Sequence, residues 1–317
     1  MHLGTLPFLR CLDLSKNHIG FCHEYGWLWI KQAEITNALR DLDMSNNLIT
    51  HLPYDIGQLN ALEKLNISHN RLSNLPQSIG NIKTLNFLNV SNNRVGDLPM
   101  HLGTLPFLRC LDLSKNHIGL CHGYGWLWIK QAEITNALRD LDMSNNSITH
   151  LPYYIGQLNA LEKLNISHNR LSNLPHSIEN MKNLDFLNVS HNSLLYLPKE
   201  IFSMRVIDIS MNPCITERYC KSEAVVSLSL EEMSVAVIQR HGIQYRRSLP
   251  ILQTEYIDSN IRRCALCKQY CRVCYVRTVE SRQLRYLFST TAIANTSTNM
   301  DTKLISVEYI KCFPNCI

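Results

Sequence analysis

The sequence predicts an α/β solenoid, a horseshoe of about nine short coils, followed by a small helical, cysteine-rich C-terminal region. Three observations lead there. The stretch Leu62-Glu63-Lys64-Leu65-Asn66-Ile67-Ser68-His69-Asn70 recurs with small changes along the chain. Its asparagine returns at Asn17, Asn47, Asn70, Asn93, Asn116, Asn146, Asn169, Asn192 and Asn212, most gaps being 23 residues. Between the copies runs L-P-x-x-I-x-x-L, as in Leu52-Pro53-Tyr54-Asp55-Ile56-Gly57-Gln58-Leu59. Self-similarity at such a period marks a stack of small units, none of which can bury its apolar face alone.

The spacing L-x-x-L-x-L-x-x-N assigns each element. Leu62, Leu65 and Ile67 turn inward from a short strand. Asn70 follows where its amide reaches backbone groups of neighbouring turns that no strand ladder would satisfy. The pattern is similar to that of the leucine-rich repeats. The L-P-x-x-I-x-x-L segment is expected on the convex side, with Pro ending the strand and Ile and Leu pointing into the core.

Residues 1–99 recur as 100–198 with 14 differences, among them Glu24 to Gly123, Asp55 to Tyr154 and Asn92 to His191. Such identity marks either a recent tandem duplication or a doubled segment in the gene model. Each copy holds one long repeat of 30 residues, Asn17 to Asn47 and Asn116 to Asn146, enlarged by Cys22 to Gln32 and Cys121 to Gln131. Two readings of these inserts stand: a protruding loop with exposed tryptophans, a residue enriched at interface hot spots, or a longer convex helix whose indoles join the core.

On the concave face the outward strand positions offer a row of side chains for a protein partner. These are Asp43, Asn66, Asn89, Asp142, Asn165 and Asn188, flanked by Lys64, Phe87, Lys163 and Phe186. Repeat arrays bind extended partners on such surfaces. Residues 1–220 carry 18 basic and 18 acidic side chains, and the excess of +5 lies after them. That balance, with no dense basic stripe, argues against direct nucleic-acid binding. The longest apolar runs are too short to span a bilayer. The chain opens inside a repeat rather than on a signal peptide, so a soluble intracellular protein is expected, with the natural N-terminus missing or built differently. No P-loop, Gly-x-Gly fingerprint, nucleophile elbow or His-Glu-x-x-His run is present, and no enzyme activity is expected.

After Asn212-Pro213 the repeats stop, and residues 221–260 read as capping helices. Ser229-Leu230-Glu231-Glu232 has capping-box form, and Leu230, Met233, Val237 and Ile238 make an apolar stripe at helical spacing. Leu230, Ser234 and Ile238 resemble an elongin-C-binding box. Leu249, Pro250 and Ile257 resemble a cullin-2 box, with Gln253 where an apolar residue is usual. Residues 261–317 form a cysteine-rich tail. Cys264, Cys267, Cys271 and Cys274, with Cys312 and Cys316, have the close pairing that suits a structural zinc site in a reducing compartment, the alternative being unligated thiols. The order of these segments, with His241-Gly242-Ile243-Gln244-Tyr245 and Ile305 to Cys312, resembles the leucine-rich repeat substrate receptors of cullin-2 ubiquitin ligases. The resemblance implies a non-catalytic adaptor of nucleus and cytoplasm, with elongins B and C and cullin-2 as partners and a substrate on the concave face. A leucine-rich repeat scaffold without ubiquitin chemistry is the alternative.

Overall fold

A computed structural model describes residues 8–19, 24–119, 125–198, 201, 205–216, 221–227, 238, 274–283, 292–293 and 304–313 of the 317. They fall into two units: Met1–Thr149 with Ile155–Arg170 and Asn180–Ser190, and His150–Tyr154 with Leu171–Glu179 and His191–Ile317.

The first unit is the expected solenoid. Eight strands follow one another in a parallel sheet: β1 (Cys11–Asp13), β2 (Asp41–Asp43), β3 (Lys64–Asn66), β4 (Phe87–Asn89), β5 (Cys110–Asp112), β6 (Asp140–Asp142), β7 (Lys163–Asn165) and β8 (Phe186–Asn188). Parallel neighbours need a crossover of a dozen or more residues, and each coil supplies one. The central leucines stand in one register line, and from Leu42 to Leu187 they are buried. Leu62, Leu65 and Ile67 are all fully buried, as the spacing requires.

The asparagines do what their position predicts, with a direction the sequence does not reveal. From Asn47 onward each reaches into the coil before its own. The Nδ2 of Asn93 donates to the carbonyls of Ile67, Val90 and Ser91 at 3.0, 3.0 and 3.2 Å, and its Oδ1 accepts the N–H of Leu72 at 2.9 Å. Asn47, Asn70, Asn116, Asn146 and Asn169 repeat the pattern. The residue before each ladder asparagine, from Lys16 to Met211, has a φ of 53 to 57°. This left-handed step turns the chain off the strand.

The convex side is built from 3-10 turns and two short α-helices. Turns at Tyr54–Gln58, Gln77–Asn81 and Met100–Thr104 each follow a proline, Pro53, Pro76 and Pro99. Proline therefore opens the convex turn, where its fixed φ is already suitable, and does not end the strand as expected. Ile56, Leu59, Ile79 and Ile82 are fully buried. In the long repeats, a 3-10 segment (Glu24–Lys31) leads into α1 (Ala33–Ala38), and one at Leu127–Lys130 leads into α2 (Ala132–Ala137). Trp27, Trp29 and Trp128 are buried in the core and Trp126 is half-buried, so none of the four is an exposed tryptophan and that reading of the inserts is overturned. The rings of Trp27 and Trp29 lie 6.4 Å apart, tilted by 32°.

The second unit carries a ninth repeat strand, β10 (Val206–Asp208), after the short β9 (Leu197–Pro198). Asn212 accepts the N–H of Leu194 at 3.1 Å, continuing the asparagine pattern. Beyond it the described residues, apart from Pro213, Cys214 and the helical Ile238, are strands: β11 (Ile215–Thr216), β12 (Lys221–Ser227), β13 (Cys274–Gln283), β14 (Ala292–Ile293) and β15 (Leu304–Phe313). β12, β13 and β15 form an antiparallel sheet, with Val225 opposite Val276 and Thr278 opposite Tyr309. This corrects the expectation of capping helices over 221–260 at Lys221–Ser227, which form β12, and the expectation of a helical C-terminal region across 274–283 and 304–313. The physical reason is composition: Val225, Val226, Val276, Thr278, Val279, Ile305, Val307, Tyr309 and Ile310 are β-branched or aromatic and favour a pleated surface.

Candidate functional site

Three-residue strands expose two side chains each, because alternate positions share a face. The middle leucine points inward, so the first and third residues of β1 to β8 make two in-register columns. The first column runs Cys11, Asp41, Lys64, Phe87, Cys110, Asp140, Lys163, Phe186. The third runs Asp13, Asp43, Asn66, Asn89, Asp112, Asp142, Asn165, Asn188. All ten side chains expected on this face are therefore brought onto one surface. The sequence reading left out Asp41, Asp140, Cys11 and Cys110 from it. The period of two is the signal: each stands two residues before the aspartate that ends its strand, Asp43, Asp142, Asp13 and Asp112.

The third column has a structural duty that the sequence reading did not assign. One side-chain oxygen of each residue accepts the backbone N–H two residues on: Asp43 from Ser45 at 2.7 Å, Asn89 from Ser91 at 2.9 Å, Asp142 from Ser144 at 2.8 Å, Asn188 from Ser190 at 3.0 Å. These caps close the strand ends. Asn66 donates its amide to Asp43 at 2.9 Å, and Asn165 to Asp142 at 2.8 Å. Much of the Asp/Asn row thus holds the sheet edge in shape, and the first column carries the chemical variety.

Charges on the face are partly paired along the stack. Arg40 pairs with Glu63 and Arg139 with Glu162, and the Nζ of Lys163 lies 3.8 Å from Asp140. Burial pushes the Asp140 carboxyl above its usual range, with Asp142, Asp112 and Glu162 adding repulsion and Lys163 opposing it. The Cys110 thiol is raised by burial and by Asp140 beside it. Asp13 is held below the usual range by the Ser15 N–H. The face therefore presents lysine, phenylalanine and excess carboxylate, suited to binding side chains of a protein.

Of the other expected site residues, Ile238 is helical and half-buried. Leu230, Ser234, Leu249, Pro250, Ile257, Cys264, Cys267, Cys271 and Cys316 lie outside the described residues. Cys274 begins β13 and Cys312 lies near the end of β15, where it pairs with Tyr275, one residue from Cys274. Among the described residues no group of three His, Cys, Asp or Glu side chains is placed to hold a metal ion. No helix among them is long and apolar enough to cross a membrane.

A family model described as "Leucine-rich repeat region" matches residues 1–117 and 100–211. No curated protein matches the chain. Among solved structures, an internalin from Listeria monocytogenes is similar with a TM-score of 0.53 at 18% identity, over 66% of this chain and 57% of that one. A chain of the Toll–Spatzle complex of Drosophila is similar with a TM-score of 0.50 at 23% identity, over 66% of this chain and 31% of that one. The chain thus spans little more than half of the internalin and a third of the Drosophila chain, and the likeness is one of fold.

Proposed function

The chain belongs to the leucine-rich repeat family, and from that premise we propose that it is an adaptor that recognises the substrate of a cullin-RING ubiquitin ligase. The repeats are a protein-binding scaffold, and the outward face of β1 to β8 is where the substrate docks. The observation that carries the reading is the pair of in-register columns, which set lysine, phenylalanine and aspartate side by side on an exposed sheet. The ligase assignment rests on sequence. Leu230, Ser234 and Ile238 bind elongin C, with elongin B joining through it, and Leu249, Pro250 and Ile257 meet cullin-2. In this reading the chain resembles leucine-rich repeat protein 1, also known as peptidylprolyl-isomerase-like 5, and works in the nucleus and cytoplasm. Cys264, Cys267, Cys271, Cys274, Cys312 and Cys316 supply a structural zinc site. Ubiquitin transfer takes place on partner subunits.

Co-expression with elongins B and C, followed by gel filtration, tests the proposal. Co-elution is expected for the wild type and lost in Leu230→Ala. A wild-type chain that elutes without elongins would leave the coarser assignment, a leucine-rich repeat scaffold without ubiquitin chemistry. Metal analysis with thiol counting after denaturation tests the zinc site; a folded, metal-free protein with all thiols reactive overturns it.

A further inference from the structure

The sheet face of the first unit is not one surface of eight coils but the same four-coil surface twice. Cys11, Asp41, Lys64 and Phe87 reappear in the same order as Cys110, Asp140, Lys163 and Phe186, on strands joined in a single register. The third column repeats likewise, Asp13-Asp43-Asn66-Asn89 against Asp112-Asp142-Asn165-Asn188. Even the pairing is copied: Arg40 with Glu63 and Arg139 with Glu162, Asn66 with Asp43 and Asn165 with Asp142. None of the 14 differences between residues 1–99 and 100–198 falls in a strand. Four steps of a sheet at about 4.8 Å place equivalent side chains roughly 19 Å apart.

We infer that this face binds a linear protein segment that presents the same basic-plus-apolar motif twice, about six residues apart in extended form, one motif on each four-coil patch. Charge sets the basic element. Asp13, Asp41 and Asp43 gather at one end of the first patch and Asp112, Asp140 and Asp142 at the matching end of the second, each with a single strand lysine beyond. Phe87 and Phe186 set the apolar element, since each is a half-buried ring in the first column. From the carboxylates to the ring is two to three sheet steps, roughly 12 Å, or about four residues of extended chain. When one motif seats, the other is held at the second patch, and the intramolecular second step raises affinity without any new kind of contact.

The inference rests on the adaptor reading only in taking the sheet face as the contact surface. Elongin binding tests that reading through residues beyond the repeats, so the two can fail separately. The probes are synthetic peptides of about eighteen residues, titrated against the full chain by fluorescence anisotropy. One carries the Lys/Phe pair twice with a six-residue repeat, one carries it once, and one has the second pair displaced by three residues. The in-phase peptide is expected to bind at least tenfold tighter than the other two. Phe87→Ala and Phe186→Ala, each with an unchanged circular dichroism spectrum, reduce it to the single-pair affinity. Asp41→Asn and Asp140→Asn weaken it to a smaller, salt-dependent extent. Equal binding of in-phase and displaced peptides overturns the inference, as does the absence of binding by all three or indifference to both phenylalanine changes.

Discussion

Asn93 shows how much one side chain can hold. It is buried, and its four hydrogen bonds satisfy three carbonyls and one N–H across two coils. Asn93→Ala leaves those groups stranded and is expected to lower stability by about 3 kcal/mol in urea unfolding. Asn17, which is exposed and donates to the Ser15 carbonyl, should lose less than about 1 kcal/mol on the same change. A second residue-scale prediction concerns Lys115, held at a φ of 53° where a Cβ crowds the backbone. Lys115→Gly should be neutral or mildly stabilising, and Lys115→Val destabilising by about 1–2 kcal/mol in the same assay. Asp140 gives a pH dependence. Its folded-state pKa is raised above 3.8, so the native chain binds its proton more tightly than the unfolded chain does. Stability from this group falls as pH rises from 3.8 through the raised value, and the penalty is fully present above it. Asp140→Asn should raise the thermal midpoint at pH 7 and leave it unchanged at pH 3. At this scale the sequence was legible wherever a residue faces inward, because buried leucine and asparagine have few substitutes. The capping duty of Asp43 and Asn89 was not legible, because nothing in the one-dimensional spacing distinguishes an oxygen that caps its own backbone from one aimed at a partner.

Among the elements, the convex turns depend on close approach. A Cβ on Gly80 would lie 2.2 Å from the His101 carbonyl oxygen of the next coil. Gly80→Ala is expected to cost about 1–3 kcal/mol, seen as an earlier denaturant midpoint. Gly80 is replaced by Glu179 in the second copy, so the same change teaches nothing there. Trp128 anchors the long repeat: it is fully buried, and its indole N–H has no protein partner. Trp128→Ala should therefore cost about 3–5 kcal/mol, while Trp128→Phe, which removes the unpaired donor, should cost clearly less. Strand positions were readable from the period of two, and convex turns from the proline and the apolar spacing. The C-terminal strands were not: KSEAVVS lacks alternation, and the cysteines of β13 and β15 drew attention to ligation rather than to pleating.

For the whole molecule, the tandem copies make a removable module. Residues 98–99 and 197–198 are both Leu-Pro, so excising 100–198 joins the coil of β4 to residue 199 through the junction already used after β8. The shortened chain should fold, keep its circular dichroism per residue and unfold with a smaller urea slope, in line with its smaller buried surface. An aggregated or unfolded product would show that coils depend on partners beyond their neighbours. Direction is the remaining property of the stack. From Asn47 onward the ladder asparagines reach back to the coil before their own, as Asn70 does to Met44 and Ile49, and Asn169 to Met143 and Ile148. A ribosome delivers the chain in that same order, at about 5–20 residues per second, so a coil of this length emerges every few seconds. Each new coil finds the carbonyls it needs already in place, and its arrival closes the last open N–H of the coil above. Translation can lock the array one turn at a time, with a single unsatisfied rung at the growing end.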